Sequence, residues 1–128
     1  MTVLLAVAVG LGAGLGAQLR YAAERLHARS RTRRGLAAPT FPWATLGVNV
    51  AGSALLGAVA ALVVQGVLTP TWQTLLGTGV AGGLTTFSTL SFDIVQLSRE
   101  RRYPRAALNA TANVALGLAA ATLTYHLM

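Results

Sequence analysis

The sequence predicts an all-α integral membrane protein, a single domain of four spans, and three observations carry that expectation. Of 128 residues, 54% are hydrophobic and only 10% charged, where soluble domains carry about 25%. So few polar side chains cannot cover a water-soluble globule of this size. Four apolar stretches each approach the roughly 20 residues that cross a bilayer core as a helix. All four prolines (Pro39, Pro42, Pro70 and Pro104) fall between those stretches or at their edges, where a missing N–H costs least. The absence of cysteine excludes a disulfide framework, an iron–sulfur cluster and a cysteine-based zinc site.

The first span is expected over about 2–21. It has the length of a signal peptide but no basic leader, and Arg20 stands at its far end, so it reads as a retained helix. Gly10/Gly14 and Gly12/Gly16 are pairs four apart, which put small residues on shared faces where another backbone can approach. On composition alone Arg20 is a snorkelling interfacial anchor.

The second span, about 43–66, opens on Trp43, and the third, about 72–97, on Trp72. Both indoles fall at the depth where the N–H stays wet. The connection 67–71 is short, which predicts a hairpin of these two spans. Asn49 and Ser53 are four apart and face the same way. A lone membrane asparagine either ties helices together, at about 1 kcal/mol or less, or offers a donor amide to a polar path.

The third span holds the strongest anomaly. Gly79, Gly82 and Gly83 are followed by Thr85, Thr86, Ser88, Thr89 and Ser91 in the middle of an otherwise apolar run. The Gly82-Gly83 pair lowers helix propensity by about 1 kcal/mol each relative to alanine. The hydroxyls that follow can satisfy freed backbone groups, which makes a broken helix tolerable in lipid. Such a break exposes carbonyls that ligate a cation and a half-helix N-terminus that favours an anion. A tight packing face of small residues is the alternative. Asp93 lies about two turns past the glycines, near the basic end, where a salt bridge to an arginine is expected. The fourth span, about 106–127, sets Asn109, Asn113 and Gly117 on one stripe. A wet lining and interhelical bonding explain that stripe equally well.

All ten basic residues are arginine, against Glu24, Asp93 and Glu100, for a formal net charge of +7. Arg25, Arg29, Arg31, Arg33 and Arg34 fall in the expected loop 22–42, and Arg99, Arg101, Arg102 and Arg105 in the expected loop 98–105. An even number of spans separates the two loops, so they share one side. The positive-inside rule makes that side cytoplasmic and sends both termini outside the cell membrane. The arginine run lacks the aromatic interleaving of a nucleic-acid surface and suits anionic lipid instead. Catalysis finds little to work with: His27 and His126 are remote from each other, and neither a lysine nor a phosphate-binding loop is present.

The string Gly82-Gly-Leu-Thr-Thr-Phe-Ser-Thr89 resembles the signature of the CrcB/Fluc fluoride channels. Gly16-Ala-Gln-Leu-Arg-Tyr21 and Thr45-Leu-Gly-Val-Asn-Val-Ala-Gly-Ser53 support it, and the likeness covers nearly the whole chain. The resemblance implies an antiparallel dimer with two pores for fluoride, a broken third helix and a passive export function. It also implies a structural, untransported Na⁺ at the centre, held by the main-chain carbonyls of Gly82 and Thr85 from both subunits. The implied fluoride path takes in Asn49, the ring edge of Phe87, and the hydroxyls of Ser88 and Thr89. Asn109 and Asn113 of the fourth span join it, with Arg20 at the cytoplasmic vestibule.

Two positions depart from the family pattern. Leu90 stands where a second phenylalanine is expected, and Asn109 where a tyrosine is usual. Leucine offers no positive ring edge to an anion. Nine arginines on one side also fix a single orientation, so an antiparallel partner is either this chain itself, against its bias, or a paralogue of opposite bias. A non-conducting structural subunit is the competing expectation. A small multidrug exporter shares the size but would need a membrane-buried glutamate in the first span, and Glu24 lies beyond Arg20.

Overall fold

The computed structural model describes residues 2–36 and 41–128. Pro39 and the adjoining part of the expected loop 22–42 lie outside the described residues. Within them every regular element is helical. Helix α1 (Val3–Arg33) is capped by Thr2, and α2 covers Trp43–Val64. A single turn, α3 (Pro70–Trp72), leads into a π-helix, Gln73–Ala81, and then into the short α4 (Gly82–Leu84). After Thr85 and Thr86 the chain resumes as α5 (Phe87–Arg99) and α6 (Tyr103–Leu127). Among the described residues α1, α2 and α6 are long and apolar enough to cross a membrane.

Two boundaries differ from the expectation. Residues 22–33, read as basic loop, continue α1 to Arg33. Alanine, leucine, glutamate and arginine dominate this stretch and are strong helix formers, and Arg31 and Arg33 suit the negative end of the helix dipole. The helix stops at Gly35, whose φ of 63° is left-handed. Leu36 N–H then turns back to the Arg31 carbonyl at 3.1 Å, an arrangement that satisfies the last carbonyls of a helix. Helix α6 begins at Tyr103 rather than 106, because Pro104 sits in its first turn, where proline needs no N–H partner.

Helices α2 and α6 form the largest helix–helix contact. They run parallel with a constant register, Asn49 against Asn113, Ser53 against Gly117 and Gly57 against Ala121. The expected hairpin partner, the π-helix, also lies against α2 but makes its larger contact with α1. That second contact is a backbone approach through glycine. A methyl group at Gly16 would overlap the Val80 carbonyl and lie 2.7 Å from the Leu84 nitrogen, and one at Gly83 would overlap the Ala13 carbonyl. Only the Gly12/Gly16 pair is used in this way: Gly10 and Gly14 have no neighbour within 4 Å.

Long apolar side chains such as Leu4, Leu11, Leu15, Val114, Leu118 and Leu123 point outward. That is the surface of a protein whose solvent is hydrocarbon.

Gly16→Ala is expected to destabilise the fold by about 1–3 kcal/mol, because backbone atoms cannot yield to the new methyl. Gly10→Ala meets open space and is expected to leave stability unchanged or raise it by about 0.5–1 kcal/mol. Thermal unfolding of the two purified variants in detergent compares them directly; equal losses would contradict this packing.

Candidate functional site

The site forms where the helical run after the π-helix stops. Thr85 (φ −73°, ψ 156°) and Thr86 (φ −147°, ψ 118°) are extended, between α4 and α5. Gly82 and Gly83, the residues of lowest helix propensity, remain helical. The chain yields at the two β-branched residues behind them, which accept extended geometry readily. Thr85 still bonds back, through its N–H at 2.9 Å and its hydroxyl at 3.0 Å, to the Ala81 carbonyl. Thr86 starts the next helix: its hydroxyl accepts the Thr89 N–H at 3.1 Å, as a threonine N-cap does. The same hydroxyl lies 3.0 Å from Thr89 Oγ1 and 3.2 Å from Ser88 Oγ.

The peptide groups released here find partners on other helices. The Asn49 amide of α2 takes both sides of Thr86: Oδ1 accepts the Thr86 N–H at 2.7 Å and Nδ2 donates to the Thr86 carbonyl at 3.2 Å. With its N–H committed there, Thr86 no longer bonds the Gly82 carbonyl four residues back. The Thr85 carbonyl accepts from Arg20 Nη1 at 3.0 Å. Arg20 is therefore a donor into the interrupted segment and not a bare interfacial anchor.

A run of amides continues from Asn49 into α6. Nδ2 of Asn49 also donates to Asn113 Oδ1 at 2.8 Å, and Nδ2 of Asn113 donates to both the carbonyl and Oδ1 of Asn109 at 2.9 Å each. Asn49, Asn109, Asn113, Thr45 and Thr86 are all buried, Asn109 to 0% exposure. The α2–α6 register puts Thr45 level with Asn109, one turn below the Asn49–Asn113 pair. Thr45 donates its hydroxyl proton to Asp93 Oδ2 at 2.8 Å. Asp93 thus takes its bond from a threonine of α2 and not, as expected, from an arginine. That bond turns the Asp93 carboxylate toward α2.

Beside this polar file lies a cleft of about 380 Å³, open on the surface of the chain and lined by Asn49, Thr85, Phe87, Leu90, Asn113 and Gly82 among others. Phe87 is 82% exposed at its rim, whereas Leu90 is buried in its wall. Asn49, Asn109 and Asn113 are thereby joined through hydrogen bonds, and Arg20 and Thr85 form a separate bonded pair that meets them only through the Thr85–Thr86 peptide link. Ser88 and Thr89 adjoin them through Thr86, and Gly82 and Phe87 share the cleft. Two participants were not singled out from the sequence as site residues: Thr86, and the Thr45–Asp93 pair. Thr45 lies four residues before Asn49 on one helix face, which was the available signal. Nothing local marks Thr86 over Thr85 as the residue whose peptide meets Asn49.

The family model described as CrcB-like protein, Camphor Resistance (CrcB), matches residues 7–125. Fluoride-specific ion channel FluC 1 of Leifsonia xyli subsp. xyli is 42% identical over 123 residues, covering 96% of this chain and 85% of the relative. Fluoride-specific ion channel FluC 1 of Streptomyces avermitilis is 41% identical over 110 residues, covering 86% and 84%. Fluoride-specific ion channel FluC 2 of Mycobacterium tuberculosis is 40% identical over 123 residues, covering 96% and 90%. Each residue of the interrupted segment, the amide run and the cleft lies inside the matched region, and the chain belongs to the CrcB-like family, that of the proteins named fluoride-specific ion channels.

Proposed function

We propose that this chain is one subunit of a fluoride-selective channel that lets F⁻ leave the cytoplasm passively, limiting fluoride toxicity, and that it functions as half of an antiparallel heterodimer. The observation that carries the reading is the cleft: donors and peptide groups at Asn49, Thr85 and Thr86 open onto the side of an apolar chain, with Phe87 standing exposed at the rim. Polar groups facing lipid are costly, and a second subunit laid over this face would bury them and enclose a path.

Fluoride is small and strongly hydrated, so a pore has to replace its water with donors. The amide of Asn49, the hydroxyls of Ser88 and Thr89 and the ring edge of Phe87 supply them, an aromatic edge carrying partial positive charge. Asn109 and Asn113 extend the file toward the cytoplasmic end, and Arg20 keeps positive charge at its mouth. HF that enters from an acidic exterior dissociates inside, and F⁻ then leaves down the electrical gradient without an ATP site.

The carbonyls also suit a cation. The Gly82 carbonyl has lost its i+4 donor and the Thr85 carbonyl, shared with Arg20, keeps a second lone pair. Hard cations take oxygen ligands of this kind, and two carbonyls from each of two subunits would form the shell for Na⁺. Bound there it would supply fixed positive charge beside the anion path.

The charge pattern supports four spans with both basic segments cytoplasmic and the termini outside, and the extended backbone at Thr85–Thr86 supports a broken third span. The charge pattern also supports a heterodimer, since nine arginines on one side oppose insertion both ways. The second reading, a non-conducting partner, is favoured by Leu90 in the cleft wall and by Asn49, both of whose N–H bonds are spent within the chain.

Fluoride efflux from liposomes tests the proposal with the chain alone and with a paralogue of opposite arginine bias. Flux is expected from the pair and little from the lone chain. Full activity of the lone chain removes the heterodimer and keeps the channel, whereas silence in every preparation removes the channel. In the conducting pair Phe87→Leu is expected to cut flux at least about tenfold, the loss of one transition-type contact of roughly 1.4 kcal/mol; unaltered flux identifies a structural subunit. Asn49→Asp, which puts a like charge in the anion path, is expected to abolish conduction while the pair still assembles on size exclusion.

A further inference from the structure

Resting on the channel reading above, we infer that Asn113 is a positioning residue: it orients the Asn49 amide and, through it, holds the Thr86 peptide out of the helix. A carboxamide has two nearly isosteric orientations, and its hydrogen-bond partners alone decide between them. As observed, Asn49 presents oxygen to the Thr86 N–H and hydrogens to the Thr86 carbonyl and to Asn113 Oδ1. Turned over, it would set N–H against N–H and oxygen against two oxygens.

Asn113 can offer its oxygen to Asn49 only because its own NH₂ is taken by Asn109, at the carbonyl and at Oδ1. Orientation is therefore handed along one line, from Asn109 to Asn113 to Asn49 to Thr86. The Thr86 N–H, Asn49 Nδ2 and Asn113 Nδ2 donate in one direction along it, so each of these bonds polarises the next, and the Asn49 bond to the Thr86 carbonyl runs back. The line ends on Asn109 Nδ2, a buried donor with no acceptor among the described residues. An end of that kind shows that the Asn109 orientation is set by what Asn113 requires of its oxygen and not by any partner for its nitrogen.

Burial makes the line consequential. Asn49 is 9% exposed, Asn113 7% and Asn109 0%, so water cannot stand in for a deleted amide. Thr86 holds the Asn49 oxygen through its N–H at 2.7 Å, but its carbonyl meets the Asn49 NH₂ only at 3.2 Å, the longest bond of the set, so the donor end of Asn49 rests on Asn113 at 2.8 Å. An ion that takes a hydrogen from Asn49 competes with Asn113 Oδ1 for it, and Asn113 in this way sets how readily Asn49 acts as a donor.

Hydrogen exchange at the Thr86 amide tests this without reference to conduction. In the assembled, purified protein Asn113→Leu is expected to speed exchange at Thr86 by about tenfold, as loss of one buried hydrogen bond implies. The backbone of residues 77–84, held by the glycine contacts with α1, should keep its protection. Asn109→Leu, which leaves the Asn109 carbonyl to hold Asn113, is expected to give a smaller acceleration at the same amide; it carries the test alone where Asn113→Leu does not fold. Fluoride flux should fall in the same order. Exchange at Thr86 unchanged in both variants overturns the inference, even with flux reduced, because Asn113 would then act on the ion directly. General loss of protection through 77–84 also overturns it, as a packing defect. Faster exchange at Thr86 in a protein that conducts no fluoride would keep the positioning role and sink the channel reading instead.

Discussion

The pair of hydrogen bonds between the Asn49 amide and the Thr86 peptide is the interaction on which the rest depends. An extended residue within an apolar bundle leaves an N–H and a carbonyl without helical partners, and each such group costs several kcal/mol in hydrocarbon. Asn49 answers both with one side chain, in the manner of a neighbouring strand. Threonine 86 then spends its own hydroxyl on the start of α5. With those three bonds made, two helices can meet end to end inside the molecule at small net cost. Release of the Gly82 carbonyl and the sharing of the Thr85 carbonyl with Arg20 follow from it.

A clamp of this kind works only if the helices on either side cannot slide. On the α1 side the restraint is steric: Gly16 and Gly83 let the backbones of α1 and the π-helix–α4 segment come so close that neither position admits a methyl. On the α6 side it is polar above and steric below. The Asn49–Asn113 bond is followed by Ser53 against Gly117 and Gly57 against Ala121, all at one register. Thr124 adds a hydroxyl bond to the Ala54 carbonyl at 2.8 Å. The interrupted segment therefore sits between two fixed walls, and its peptide groups are aimed by its neighbours.

How much of this could be read from residues alone depends on range. The apolar runs, the prolines between them and the arginine segregation are visible because bilayer thickness and charge act on local composition. The asparagine stripe of α6 and the Asn49–Ser53 face were legible as faces, since four-residue spacing is geometry. What they face was not legible: the Asn49–Asn113 pairing spans 64 positions, and no periodicity encodes it. The π-helix over Gln73–Ala81 carries no propensity signature distinct from an α-helix, and it matters because it widens the segment against which α1 packs. The continuation of α1 to Arg33 was hidden because arginine suits both a cytoplasmic loop and a helix. Asp93 was misjudged because proximity in sequence to arginines outweighed Thr45, a partner 48 positions away.

The departures Leu90 and Asn109 gain meaning from where they sit. Asn109 is not a wet substitute at the edge of the file but its buried anchor, the residue against which Asn113 is held. The Asn109 carbonyl would serve Asn113 whatever side chain stood there, but Oδ1 would not, so the amide run depends on this side chain for one of its two terminal acceptors. Leu90, by contrast, contributes only apolar surface to the cleft wall. One departure is built into the hydrogen bonding of the chain and the other only into its packing. A chain that keeps its internal clamp intact beside an apolar cleft wall spends its polar side chains on holding the interrupted segment, and Asn109 belongs to that bonding while Leu90 does not.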